Sequence, residues 1–77
     1  MEAEEIINVE GKSCPMPLFL TKKALNKMES NKTLQVIGDF LPAKENITEF
    51  LEKEGHQILS VKEKSDPYQF IIFIKKA

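Results

Sequence analysis

Cys14 is the only cysteine in 77 residues, and its neighbours restrict how it can be presented. The run is Gly11-Lys12-Ser13-Cys14-Pro15-Met16-Pro17-Leu18. A residue before proline is pushed out of the helical region, so Cys14 is predicted to be extended and to cap a helix that opens at Pro15. Pro15 falls at the first helical position and Pro17 at the third, where backbone N–H groups lack intrahelical partners anyway. Either ring one turn later would damage the helix. The two prolines stiffen the entry and fix the direction of the thiol. A sulfur at a helix N-terminus is favoured as thiolate, by about 0.3–1 kcal/mol at an exposed end. Lys12 could add to that field. Lys22 and Lys23 are eight or nine residues further, roughly 12 Å along a helix and beyond a physiological Debye length. They read as a docking surface and not as activators. A free cysteine is also commonly a small buried hydrophobe, but a loop-to-helix junction usually lies at the surface, which favours chemistry.

The elements that must position this thiol follow from periodicity. A first strand is predicted over Glu5 to Glu10, with Ile7 and Val9 on one face and Ile6 on the other. From Cys14 to about Glu29, Leu18, Thr21, Ala24, Leu25 and Met28 form one helical stripe, with Lys22, Lys23 and Lys27 mostly off it. Thr33 to Ile37 reads as a strand, Gly38 to Pro42 as a turn, and Ala43, Ile47, Phe50 and Leu51 as a second helix ending at Gly55. Gln57 to Lys62 and Tyr68 to Lys75 are two further strands about the turn Ser65-Asp66-Pro67. The order is βαβαββ in a single domain, residues 1–77. A strand-helix-strand unit gives a parallel pair, and the short final turn gives an antiparallel one. The predicted fold is an α+β two-layer sandwich: two helices packed on one face of a four-stranded mixed β-sheet. The last strand, Phe70-Ile71-Ile72-Phe73-Ile74, is apolar on both faces. If Phe70, Ile72 and Ile74 pack inward, Ile71 and Phe73 point out, or the reverse; the outward set, which Leu59, Val61 or Ile37 can join, is expected to form an open-face patch for weak self-association or partner docking, unless Lys62 and Lys75 cover it.

Composition narrows the function. The formal net charge is -1, and every basic residue is lysine. Without arginine there is no bidentate fork for guanine or phosphate, which argues against sequence-specific nucleic-acid readout. No apolar run reaches the roughly 18 residues of a membrane span. An acidic start and a single cysteine fit a soluble chain in a reducing, cytoplasmic compartment. One cysteine and one histidine do not make a four-ligand zinc site, although carboxylates could join. His56 reads as a turn residue at a helix end. Glu45, Glu49 and Glu52 read as a solvated helical face. Gly11, Gly38 and Gly55 make no phosphate-binding loop, and no cofactor or metal is expected.

The run from Gly11 to Leu18 resembles the CPxP signature of the TusA (SirA-like) sulfur carriers. The likeness continues through Lys22-Lys23, Met28, Asp39 and Ile47, and covers nearly the whole chain. It implies a fold like the C-terminal domain of translation initiation factor three. It also implies that Cys14 accepts sulfur as a persulfide from a cysteine desulfurase or other sulfur donor and relays it to a sulfur-acceptor protein. In the family such acceptors serve tRNA thiolation, molybdenum-cofactor synthesis or sulfur oxidation. Cys14, Pro15 and Pro17 carry over directly, while Lys12, Lys22 and Lys23 are candidates for partner docking. The chain departs from the family after Asp39, where Phe40-Leu41-Pro42-Ala43 replaces an acidic residue followed by Pro-Ala. Such a protein is a relay and not a stand-alone enzyme. The competing readings are a redox or regulatory thiol protein and an interaction module with an inert cysteine.

Overall fold

Six elements make up the computed structural model, which describes residues 3–12 and 16–77. They are β1 (Glu5–Asn8), α1 (Met16–Lys27), β2 (Thr33–Gly38), α2 (Leu41–Glu54), β3 (Gln57–Lys64) and β4 (Gln69–Lys75). The sheet order is β1-β2-β4-β3. β1 pairs parallel to β2, and β4 runs antiparallel between β2 and β3. Both helices cover one face of this mixed sheet, because the right-handed crossovers from β1 to β2 and from β2 to β3 move the same way along it.

The alternation in β2 decides its faces. Leu34 and Val36 are buried towards the helices, whereas Gln35 and Ile37 lie on the open side. Antiparallel partners share a face, so Leu34 and Val36 stand beside Ile74 and Ile72 of β4. Val9, Phe70, Ile72 and Ile74 complete the sheet side of the core. From α1, Pro17, Thr21 and Leu25 point inward at intervals of one turn. Burying Thr21 leaves no orphan hydroxyl, because its Oγ1 donates to the Pro17 carbonyl at 2.8 Å. Ala43, Ile47 and Leu51 are the matching stripe of α2. Gly38 ends β2 opposite Phe70, and a Cβ there would overlap the Phe70 ring and approach Val9 Cγ2 to 3.0 Å. Glycine lets that ring lie against the strand backbone.

Several boundaries differ from the sequence reading. α1 ends at Lys27, and Lys76 closes it by donating from Nζ to the Met28 carbonyl at 2.6 Å. α2 begins at Leu41, so Leu41-Pro42 is its first turn and not part of a preceding loop. Proline suits that position because the N–H it lacks has no intrahelical partner. At the other end Gly55 adopts φ 80, with its N–H on the Glu52 carbonyl and that of His56 on Leu51. This is the expected left-handed helix stop. β3 extends to Lys64 and has a register irregularity between Ile58 and Ser60, which makes Leu59 an extra residue opposite β4. Tyr68 belongs to the β3–β4 turn and not to the strand.

On the open face, the paired exposure expected for Ile71 and Phe73 does not occur. Phe73 is only 7% exposed and Ile71 is half-buried. β4 is an inner strand, so neighbours on both sides flank the ring. The exposed apolar residue of that face is Ile6, on the edge strand β1. No helix among the described residues is long and apolar enough to cross a membrane.

Candidate functional site

Two loops meet where the parallel strands β1 and β2 end. Gly11, at φ 77, turns the chain after β1, and its N–H donates to the Asp39 carboxylate at 3.0 and 3.2 Å. The left-handed conformation is one that glycine adopts without the penalty of a Cβ. The Lys12 N–H donates to the Val9 carbonyl at 3.3 Å. Upstream, the Asn8 carboxamide oxygen accepts from the Glu10 N–H at 2.8 Å, and the Gln69 amide donates to Glu10 at 2.9 Å. The chain is therefore tied to β2 and to the start of β4 just before Cys14. Asp39, the residue between β2 and the N-cap of α2, is thus bonded to the loop that follows β1.

Ser13, Cys14 and Pro15 lie outside the described residues. The expectations that Cys14 caps α1 and that Pro15 is its first residue therefore concern positions the structure does not describe. Pro17 is buried in the first turn of α1, where its ring costs no hydrogen bond. Lys12 is exposed on the β1–α1 loop, and Lys22 and Lys23 are exposed on α1. The structure brings Lys22 and Lys23 together, with Phe19, Asn26 and Lys27, around a shallow hollow of about 450 Å³. The Lys22 Nζ lies 4.9 Å from the centre of the Phe50 ring, a cation–π contact between α1 and α2.

Met16, Phe19, Phe40 and Leu41 are all exposed, and no exposed apolar surface was predicted for any of them. The signal for Phe19 was available, since it falls off the stripe of Leu18, Thr21, Leu25 and Met28. For Phe40 and Leu41 it was not, because reading them as a turn concealed the helix start. His56 is half-buried beyond the far end of α2, a helix of 14 residues or about 21 Å from its start near Asp39. Its Nδ1 accepts the Ala77 N–H at 3.1 Å, and its ring lies 6.3 Å from Phe50. It is a structural residue of the helix stop.

Comparison with known proteins places this geometry. The family model described as sulfurtransferase TusA matches residues 5–76. A protein of Archaeoglobus fulgidus described as a candidate sulfur carrier is 40% identical over 99% of this chain and 85% of its own length. One of Methanocaldococcus jannaschii, described in the same way, is 36% identical over 86% of this chain and 88% of its own. The sulfur carrier protein TusA of Allochromatium vinosum is 28% identical over 90% and 91%. The crystal structure of a SirA-like protein from Desulfitobacterium hafniense superposes with a TM-score of 0.77 at 25% identity, covering 91% of this chain and 95% of that one.

Proposed function

Because the chain belongs to the TusA family of sulfurtransferases, we propose that it holds sulfur as a persulfide on Cys14, taking it from a cysteine desulfurase and passing it to an acceptor protein. One observation carries this reading. The family match spans position 14, and the chain contains no second cysteine. A sulfur carrier of this composition has one thiol on which to load.

The exchange conserves atoms and electrons. The Cys14 thiolate attacks the outer sulfur of the donor's persulfide. A bond forms between Cys14 Sγ and that sulfur as the donor's S–S bond breaks, and the donor cysteine leaves as a thiolate. The proton stays on the transferred sulfur, and no external oxidant is consumed. An acceptor thiolate repeats the step in the forward direction. The Gly11–Asp39 bond supports this reading by restraining the loop three residues before Cys14 in sequence.

Mass spectrometry after incubation with a cysteine desulfurase and L-cysteine tests the reading. The wild-type chain gains sulfur in steps of about +32 Da, the mass of one sulfur atom, and Cys14→Ser gains none while keeping the fold. A wild-type chain that acquires no sulfur from either desulfurase or inorganic polysulfide would refute it. So would rapid loading with a reagent-inert Cys14, measured by alkylation of the folded protein.

A further inference from the structure

The two edges of the sheet are finished differently. β3 carries the register irregularity at Leu59 and ends in Lys62-Glu63-Lys64, features that discourage a further strand from joining. β1, Glu5-Ile6-Ile7-Asn8, has no proline, no lysine and no such irregularity. Alternate N–H and C=O groups of an edge strand face away from its neighbour, so this row is open to pairing. Ile6, 61% exposed, is the most exposed large apolar side chain among the described residues. On the helix side the same edge borders a hollow of about 350 Å³ between Ile7 of β1 and Leu20 and Ala24 of α1, rimmed by Glu5, Lys23 and Lys27. None of these three charged groups forms an ion pair among the described residues, whose pairs are Lys44–Glu63 and Lys53–Glu49. Because α1 links two parallel strands it runs back along β1, which sets Lys27 towards the Glu5 end of the hollow and Lys23 nearer its middle.

We propose that a second copy of this chain docks on this edge, β1 against β1 in antiparallel pairing, so that the two four-stranded sheets become continuous. Such an interface is isologous: each contact is made twice. Residues opposite one another on antiparallel strands share a side of the sheet, so the two-fold axis must pass beside one residue. With the axis at Ile6, the Ile6 side chains of the two copies cover each other on the open face. On the helix side Glu5 of one copy then stands opposite Ile7 of the other and enters the hollow, facing Lys23. One rotation thus covers the exposed apolar residue and gives the lysine of each groove an acid. A foreign strand would satisfy the backbone groups, but β1 itself carries the apolar side chain and the acid at the spacing the groove presents. With a net charge of -1 per chain, repulsion between copies is small. The loops after β1 leave at opposite ends of the pair, so this docking does not rest on Cys14 as the sulfur-bearing residue.

The full chain is measured in reducing buffer and again as Cys14→Ser, which removes disulfide dimers from the result. Sedimentation equilibrium from about 10 μM to about 1 mM gives a weight-average mass that climbs towards that of two chains. Ile6→Lys puts a charge on the open edge; it weakens the dimer at least about tenfold and leaves the far-ultraviolet circular dichroism unchanged. Glu5→Lys and Lys23→Glu each weaken it at least about threefold, and the two together restore it to within about twofold of wild type. Loss of monomer stability alone would not be rescued by a charge swap. Hydrogen exchange at the β1 amides slows as concentration rises. A chain that stays monomeric at about 1 mM overturns the proposal. So do dimers that survive Ile6→Lys, or that the charge swap fails to restore. Concentration-dependent protection on β3 in place of β1 moves the interface to the other edge and also overturns it. Binding of a polyglutamate peptide to a strictly monomeric chain reassigns the groove to an acidic partner strand, with the same consequence.

Discussion

Replacing Gly38 with alanine inserts a methyl group where the Phe70 ring already lies. The added Cβ would sit 2.5 Å from Phe70 Cε2 and 3.0 Å from Val9 Cγ2. Carbon atoms in contact prefer about 3.5–4.0 Å, so the ring must retreat by roughly 1 Å. Phe70 has no room to do so. It is fully buried on an inner strand and paired in register with Gly38. Overpacking of this kind costs about 1–3 kcal/mol. The better strand propensity of alanine offsets about 0.5–1 kcal/mol. The net loss is about 1–2 kcal/mol, which in a domain of this size lowers Tm by roughly 5–15 °C. Thermal denaturation followed by circular dichroism measures it. Phe70→Leu supplies the control: the smaller side chain should cost less in the Gly38→Ala background than alone, with a coupling of at least about 0.5 kcal/mol. An unchanged Tm in Gly38→Ala, or strict additivity in the pair, would show that the ring is not the obstacle.

The Asp39 carboxylate should hold the loop that leads to the thiol. Asp39→Ala is expected to speed hydrogen exchange at the Gly11 amide and slow sulfur loading, at a stability cost of about 0.5–1.5 kcal/mol, with partial rescue by Asp39→Asn. Unaltered exchange at Gly11 would disprove the restraint. Tyr68 is the only tyrosine; burial, and then its hydrogen bond to Glu63 and that group's charge, push its hydroxyl up to about 12. Folding favours the neutral phenol, so this contribution is intact below the ordinary value of 10.0 and is lost as pH rises through about 12. The ultraviolet tyrosinate titration should therefore have its midpoint near 12, and Tyr68→Phe should abolish that alkaline loss of stability; a midpoint at 10.0 would refute the assignment. Glu63 behaves oppositely. Its bond from Tyr68, and then that from Lys44, hold it below 4.5, so its share is present above that value and declines as pH falls through the lowered one.

Periodicity was enough to orient most of the chain. Alternation set Leu34 and Val36 inward, the turn-by-turn spacing of Thr21 and Leu25 set the buried side of α1, and glycine marked the stop at Gly55. A period of two states which face a residue occupies but not which strand lies beside it. The placement of β4 between β2 and β3 was therefore out of reach, as was the burial of Phe73 that follows from it. The irregularity at Leu59 leaves no local mark, since its cause is the register with β4. Pro42 misled because proline serves equally in a turn and in the first turn of a helix. For the site, the sequence picked out the lysines of α1 but not Phe19, whose exposure becomes meaningful only once the hollows beside it are seen. The bond between Gly11 and Asp39 joins residues 28 apart, a separation that no local motif spans.

The central place of β4 bears on how the protein comes off the ribosome. β4 is the last strand in sequence, yet both β2 and β3 form their antiparallel ladders on it. Before residues 69–75 have been synthesised, β2 can bond only to β1, and β3 has no strand to join. Phe70, Ile72 and Ile74 are missing from the core at that stage. The nascent chain therefore exposes Leu34, Val36, Ile47 and Leu51 together. Closure then comes in one late event as β4 inserts between two waiting edges. A chaperone over the unfinished sheet would cover these apolar side chains through the interval in which β4 cannot.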